Sequence, residues 1–160
     1  MDASAFQWEV QRAEKLLFRI AWSYMGNLPD VEDMVQDAIM TAWRKRGTLR
    51  EADQFAGWIA RILTNRCKNA LRRRKLLSFF PLEEDSVLTD ESAVASPVSE
   101  AMKKLKPDLQ LLVTLHYGDG YTMKEIAGML GIPPGTVQTR LMRARKQLRE
   151  ILLVEWEGEL

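Results

Sequence analysis

The stretch from residue 121 to residue 152 constrains the fold more than any other part of the chain. It reads YTMKEIAGMLGIPPGTVQTRLMRARKQLREIL and predicts a short helix, a tight turn and a longer helix. Thr122, with Glu125 three residues later, has the pattern of a capping box at a helix start. Gly131 suits a helix end, and the Pro-Pro pair that follows can open a helix but cannot continue one.

The longer helix has an apolar face and a basic face. Apolar residues recur at spacings of four and three, the period of a helix packed on one side, at Val137, Leu141, Ala144, Leu148 and Ile151. The other face carries Gln138, Thr139, Arg140, Met142, Arg143, Arg145, Lys146 and Arg149, and no acid precedes Glu150 on this helix. A helix-turn-helix of this kind indicates a second helix that enters a DNA major groove, where Gln and Arg bind base edges. An ordinary helix pair with a solvated basic face is the alternative.

Charge is distributed unevenly along the 160 residues, although the formal net charge is only +1. Residues 76–97 contain five acids and no Lys or Arg, whereas the blocks on either side mix both signs. This layout predicts two domains joined by a connector. We therefore predict an all-α protein with a helical bundle at residues 1–75, a flexible acidic linker at 76–97 and a helix-turn-helix domain at 98–160.

Three helices are predicted in the first block. They run from Phe6 to about Met25, from Pro29-Asp30 to about Arg46, and from Ala52 or Phe55 to Lys75. The second helix has a core stripe and, on another side, a strip formed by Asp33, Gln36, Asp37, Met40 and Arg44. An acidic strip with an exposed Met can dock a basic partner, although a merely solvated face has the same period.

The third helix is basic outside its apolar stripe. Its polar positions include Arg61, Asn65, Lys68, Asn69 and Arg72. Because no acid occurs between Ala56 and Leu82, nucleic-acid contact is favoured over a solvated face. Further along the chain, Val98 to about Tyr117 predicts two short helices separated at Pro107.

Several classes of site are excluded by residue counts. One cysteine, Cys67, cannot form an internal disulfide, and one histidine, His116, leaves no zinc site. No catalytic constellation or cofactor motif occurs. No apolar run could span a membrane and no signal peptide begins the chain, so we expect a protein of the cytoplasm without metal or cofactor.

Three blocks, taken in order, resemble a bacterial extracytoplasmic-function sigma factor of the sigma-70 family. LLFRIAWSYMGNLPDVEDMVQDAIMTAW is similar to the first two helices of that family, and FAGWIARILTNRCKNALRRRK to its third helix. The block from Leu105 to Leu152 is similar to the domain that reads promoters.

The resemblance implies a role for each surface. The strip on the second helix would dock on the largest catalytic subunit of core RNA polymerase. Asn65 would contact a base flipped out of the minus-10 promoter element, and the wall of its pocket would be the loop Gly47 to Gln54. Arg61, Lys68, Asn69 and Arg72 would hold the DNA backbone there. The minus-35 element would be read by Gln138, Thr139, Met142 and Arg143, with Arg140 and Lys146 on phosphates.

The resemblance also implies an inhibitory partner, and two other functional hypotheses stay open beside it. Such factors are commonly inhibited by a membrane-linked anti-sigma factor, and we expect one here. Gln138 stands where many relatives have a basic residue, so the minus-35 sequence cannot be carried over. A free-standing helix-turn-helix repressor or activator is the first rival, and a nucleic-acid-processing enzyme such as a recombinase fragment is the second.

Overall fold

The structure, a computed structural model, describes residues 1–50, 55–77 and 96–158, with side chains described as far as residue 154. Within these ranges the chain is helical and contains no strand, as the all-α prediction requires. The α-helices are α1 (Ala3–Met25), α2 (Leu28–Arg44), α3 (Phe55–Leu77), α4 (Pro97–Lys103), α5 (Pro107–Val113), α6 (Met123–Leu130) and α7 (Pro134–Gly158). A 3₁₀ turn at Arg46–Thr48 follows α2, and a π-helical segment at Thr114–Gly118 follows α5.

The helices form two compact units. The first contains α1, α2 and α3, which all pack on one another. The second is built from α4, α5, α7 and most of α6. Two helical domains are thus confirmed. Residues 78–95 of the predicted linker lie outside the described residues, and its first two residues and Pro97 are helical.

The core of the first unit follows the predicted apolar period. The largest fully buried side chains come from all three helices and are Leu17, Ile20, Val31, Ile59, Leu63 and Cys67. Phe6 makes edge-to-face contacts with Trp43 and Phe55, at centroid distances of 5.1 and 5.6 Å. Since such pairs add to the free energy gained by burial, they hold the start of α1 against the other two helices.

A tight reversal joins α1 to α2. Gly26 adopts φ 73°, which favours glycine, and its N–H donates to the Trp22 carbonyl at 3.0 Å. Asn27 then caps α2, because its side-chain oxygen accepts the Asp30 N–H at 3.0 Å. The second helix was predicted to begin near Pro29-Asp30, and this cap starts it at Leu28.

The end of α2 differs from the prediction. The α-helix ends at Arg44 rather than about Arg46, and the chain tightens into the 3₁₀ turn. The Arg46 guanidinium folds back, stacks 3.6 Å from the Trp43 ring centroid and donates to the Trp43 carbonyl at 2.8 Å. This contact competes with another turn of α-helix and explains the earlier end.

The second unit buries the first part of the predicted apolar face of α7, whereas Leu148 and Ile151 further along that face are only half-buried. Val137, Leu141 and Ala144 are fully buried, together with Leu112 and Leu115 from the α5 region. A break at Pro107 is confirmed, since α5 begins there. Leu111 and Ala101 are also buried, although the spacing did not single them out.

Two predicted segments between helices lie partly outside the described residues. Leu76 and Leu77, the first two residues of the predicted linker, are exposed at the end of α3. Phe79, Phe80 and Leu82 lie outside the described residues. Residues 51–54 of the predicted pocket wall also lie outside them.

Candidate nucleic-acid interface

Side-chain hydrogen bonds fix the start of α6. The Glu125 N–H donates to Thr122 Oγ1 at 3.1 Å, and the Thr122 hydroxyl donates to Glu125 Oε1 at 3.2 Å. The predicted cap therefore forms in a modified way, because the carboxylate accepts from the hydroxyl of Thr122 and not from its backbone. The helix start stays anchored at the position that the sequence indicated.

The turn between α6 and α7 orients the second helix. Gly131 adopts φ 67°, and the Ile132 N–H donates to the Ala127 carbonyl at 3.1 Å, the bond of a Schellman cap. The Pro133 carbonyl then accepts from the Thr136 and Val137 N–H groups. The turn thus ends one helix and starts the next within three residues, as a helix-turn-helix requires.

The outer face of α7 is open to solvent. Its predicted base-contacting and phosphate-contacting residues are exposed, apart from the half-buried Arg140, at Gln138, Thr139, Met142, Arg143 and Lys146. The Thr139 hydroxyl donates to the Gly135 carbonyl at 2.9 Å. Since that hydrogen is already used, the Thr139 methyl is the group best able to meet a thymine methyl.

A second basic face lies on α3. The predicted residues Arg61, Asn65, Lys68, Asn69 and Arg72 are all exposed. They share one side of the helix because their numbers differ by four, three, one and three. The opposite side buries Ile59, Leu63 and Cys67 against the other two helices. Burial also raises the pKa of the Cys67 thiol to about 11, so this group stays protonated and packs as an apolar residue.

The acidic strip on α2 is more complex than its spacing suggests. Asp33, Gln36, Met40 and Arg44 are exposed, but Asp37 is half-buried. The Asp37 carboxylate accepts a hydrogen bond and ion pair from Arg66 of α3, at an N–O distance of 2.5 Å. Sequence reasoning missed Arg66, because no local period links two residues that are 29 positions apart.

A second ion pair joins the same two helices. Arg74 of α3 pairs with Asp30 in the first turn of α2. The hydrogen bond from the Asn27 side chain, and then the Arg74 guanidinium, hold the pKa of Asp30 below its usual value against the opposing effect of burial. Both pairs therefore add polar contacts between α2 and α3 at the edge of their common core.

The two predicted site sets meet in a polar groove between α2 and α3. Its volume is about 410 Å³, and it is lined by Met34, Asp37, Thr41, Lys45, Ile62, Asn65, Arg66, Asn69, Ala70 and Arg73. Asp37, predicted to dock a partner, thus lies beside Asn65 and Asn69, predicted to bind DNA. The groove shows that the two predicted residue sets do not lie on opposite sides of the unit.

Two other kinds of feature are absent from the described ranges. These ranges contain no group of three His, Cys, Asp or Glu residues that could hold a metal ion. No helix in those ranges combines the length and apolarity required to cross a membrane. His116 Nδ1 lies 2.7 Å from the Tyr121 carbonyl oxygen, so its contact is local to the turn before α6.

Comparison with known proteins identifies both units. Residues 10–76 match the family model of sigma-70 region 2, and residues 96–148 match that of sigma-70 region 4. The first match spans most of α1 and nearly all of α3, and the second reaches from the start of α4 into α7.

Relatives and solved structures match over nearly the whole chain. The ECF RNA polymerase sigma factor SigM of Mycobacterium tuberculosis is 32% identical over 154 residues, which are 94% of this chain and 79% of the relative. The sigma factor RpoE of Bartonella quintana, solved with the anti-sigma factor NepR, has a TM-score of 0.69 and 25% identity, with 95% of this chain and 99% of that chain covered. CnrH, solved with the cytosolic domain of CnrY, has a TM-score of 0.65 and 25% identity, with 96% and 90% covered. The chain belongs to the sigma-70 family, in its extracytoplasmic-function branch.

Proposed function

We propose that this sigma factor binds core RNA polymerase through α2 and directs it to promoters through α3 and α7. The observation that carries the proposal is the pair of exposed basic helix faces, one on α3 and one on α7, each backed by a core of its own. Two such faces suit two separate DNA elements. A single helix-turn-helix would explain only α7.

The docking surface on α2 is formed by Asp33, Gln36, Asp37, Met40 and Arg44. Met40 is 53% exposed at the middle of the strip, where it can bury its apolar side chain in a partner. The acids around it suit a basic surface, and the family resemblance implies that this surface belongs to the largest catalytic subunit of the polymerase. Arg66 keeps the Asp37 carboxylate in a defined position before docking.

The face on α3 binds and helps to open the minus-10 element. Asn65 is exposed and can hydrogen-bond a base that has left the stack, at a cost of a few kcal/mol of unstacking. Its neighbours supply charge for the DNA backbone through Arg61, Lys68 and Arg72, and an amide through Asn69. The groove beside Asn65 offers polar walls for a displaced base.

The face on α7 reads the minus-35 element. Gln138 and Arg143 can make hydrogen bonds to base edges, while Thr139 and Met142 present apolar groups to thymine methyls. Arg140 is half-buried and closer to the body of the unit, which suits a phosphate contact, as does the more distant Lys146.

Regulation by an anti-sigma factor follows the same resemblance. Bartonella quintana RpoE was solved with its anti-sigma factor NepR, and CnrH with the cytosolic domain of CnrY. A membrane-linked protein of this class would hold the present chain inactive by covering surfaces that the polymerase needs. The chain itself acts in the cytoplasm as an initiation factor, without a catalytic site or a cofactor.

Transcription from a cognate promoter with core polymerase tests the reading of the minus-35 element. We expect Arg143→Ala to weaken promoter use by about 1–3 kcal/mol and to relax the preference at one base pair. The matched control, Arg145→Ala, also removes an exposed arginine from α7 but should weaken all sequences equally. Equal losses on every sequence for Arg143→Ala would contradict base reading by that residue.

A further inference from the structure

One exposed face of the first unit takes no part in the proposed function. It lies on α1 and consists of Trp8, Arg12, Lys15, Arg19 and Trp22, all of which are exposed. Their numbers differ by four, three, four and three, so they form one stripe along the helix. At 1.5 Å per residue, the stripe is about 21 Å long. We call it the tryptophan–cation stripe.

The stripe lies opposite the buried side of α1. The core residues Ala13, Leu17, Ile20 and Tyr24 point into the unit. At 100° per residue, the mean direction of the stripe is about 150° from theirs, so packing of the unit does not require it. Trp8 is 57% exposed and Trp22 is 44% exposed, although tryptophan is usually mostly buried.

The charged residues of the stripe are all positive. Its three cations are separated by about one helical turn, and the acids of the helix interior, Glu9 and Glu14, lie on its flanks. Arg12 lies 4.7 Å from the centre of the Trp8 ring and 4.0 Å from the Glu9 carboxylate. A guanidinium stacked on an indole keeps its edge N–H groups available for an anion.

We propose that the tryptophan–cation stripe binds single-stranded nucleic acid, with bases stacked on Trp8 and Trp22 and phosphates held by the cations between them. Alternating aromatic and cationic groups are the two elements that such sites combine. A helix face is convex, and a flexible strand can follow it. The inference rests on the proposed function for the source of that strand, which is the opened promoter.

Binding of a fluorescein-labelled oligothymidylate of about 12 nucleotides, followed by anisotropy over a range of salt concentrations, tests the stripe in the full chain. Removing three phosphate contacts by R12Q/K15Q/R19Q should reduce the slope of log K against log salt by about 2, at about 0.7 per contact. The control K103Q/K104Q/K106Q removes the same charge from exposed positions in the second unit and should leave the slope nearly unchanged.

The aromatic part is tested with W8A/W22A. We expect at least about fivefold weaker binding with an unchanged salt slope, and recovery with W8F/W22F, since phenylalanine also stacks. Because these side chains lie outside the core, circular dichroism should show wild-type helix content for every variant.

Wild-type affinity and slope in both stripe variants would overturn the inference. If the stripe variants bound oligothymidylate like the wild type but no longer bound core polymerase, the stripe would be assigned to a protein partner instead. Failure of the proposed function is distinguishable, since it would appear as loss of polymerase binding by the wild-type chain, whatever the oligothymidylate result.

Discussion

At the scale of single residues, Asp37 is both a proposed docking residue and part of the internal structure of the first unit. It lies in the acidic strip of α2, yet its carboxylate is paired with Arg66 of α3. A carboxylate has lone pairs for more than one donor, so a cation of the polymerase can bind while Arg66 stays in place. The half-buried ion pair contributes about 0–1 kcal/mol to folding, which leaves Asp37 available for a partner.

Asp37→Asn tests this assignment with little change of shape. We expect at least about tenfold weaker binding to core polymerase, because a charge-assisted contact is lost, with helix content unchanged. The control is Asp30→Asn, which removes the other ion pair to α3 but lies outside the docking strip. The assignment is wrong if Asp37→Asn co-purifies with polymerase as the wild type does.

Cys67 gives a residue-scale test of the core. Its side chain is fully buried and the pKa of its thiol is raised to about 11 from 9.0, so the reactive thiolate is about a hundredfold scarcer at pH 8 than in an exposed cysteine. We expect iodoacetamide to alkylate Cys67 very slowly in the native protein and rapidly in urea, as measured by mass spectrometry. Rapid alkylation of the native protein would show that α3 is not packed as described.

At the scale of elements, the α6–α7 turn depends on one glycine conformation. Gly131 has φ 67°, where a Cβ is strained, whereas Gly128 lies inside α6 with open space around its Cα. Gly131→Ala should lower the free energy of unfolding by about 1 kcal/mol and weaken minus-35 binding, since the turn orients α7. Gly128→Ala should instead raise the free energy of unfolding by about 0.5–1 kcal/mol, because alanine is favoured over glycine inside a helix.

Thermal or urea denaturation of the two variants measures these opposite signs. Each variant adds one methyl group to the wild-type chain, and the two substituted positions are three residues apart. The comparison therefore isolates the effect of backbone conformation. Equal stabilisation by both substitutions would mean that residue 131 does not adopt the left-handed conformation in solution.

The elements also show what a sequence can predict. Periodicity predicted the buried start of the apolar face of α7, because local spacing decides which side of a helix is apolar, but it did not predict that Leu148 and Ile151 would be only half-buried. It did not predict Thr41 as buried, because a hydroxyl reads as polar, but the Thr41 hydroxyl donates to the Asp37 carbonyl at 2.9 Å and needs no solvent. Arg66–Asp37 and the folded-back Arg46 depend on long side chains meeting in three dimensions, which spacing does not contain.

At the scale of the whole molecule, the proposed surfaces would divide the work of initiation between the two units. The proposal assigns the docking strip, the minus-10 face and the tryptophan–cation stripe to the three helices of the first unit, and the minus-35 face to α7 of the second. The charge pattern of the sequence matches this division into two units, because the predicted linker at residues 76–97 contains five acids and no Lys or Arg. In this proposal, one chain binds a polymerase and two promoter elements.

Gel filtration of the purified chain with bacterial core RNA polymerase, at near-physiological salt, tests the central claim most directly. The account predicts co-elution at one to one and weak binding of the chain alone to duplex DNA. A chain that fails to co-elute but binds duplex DNA tightly by itself would contradict the account and favour a helix-turn-helix repressor.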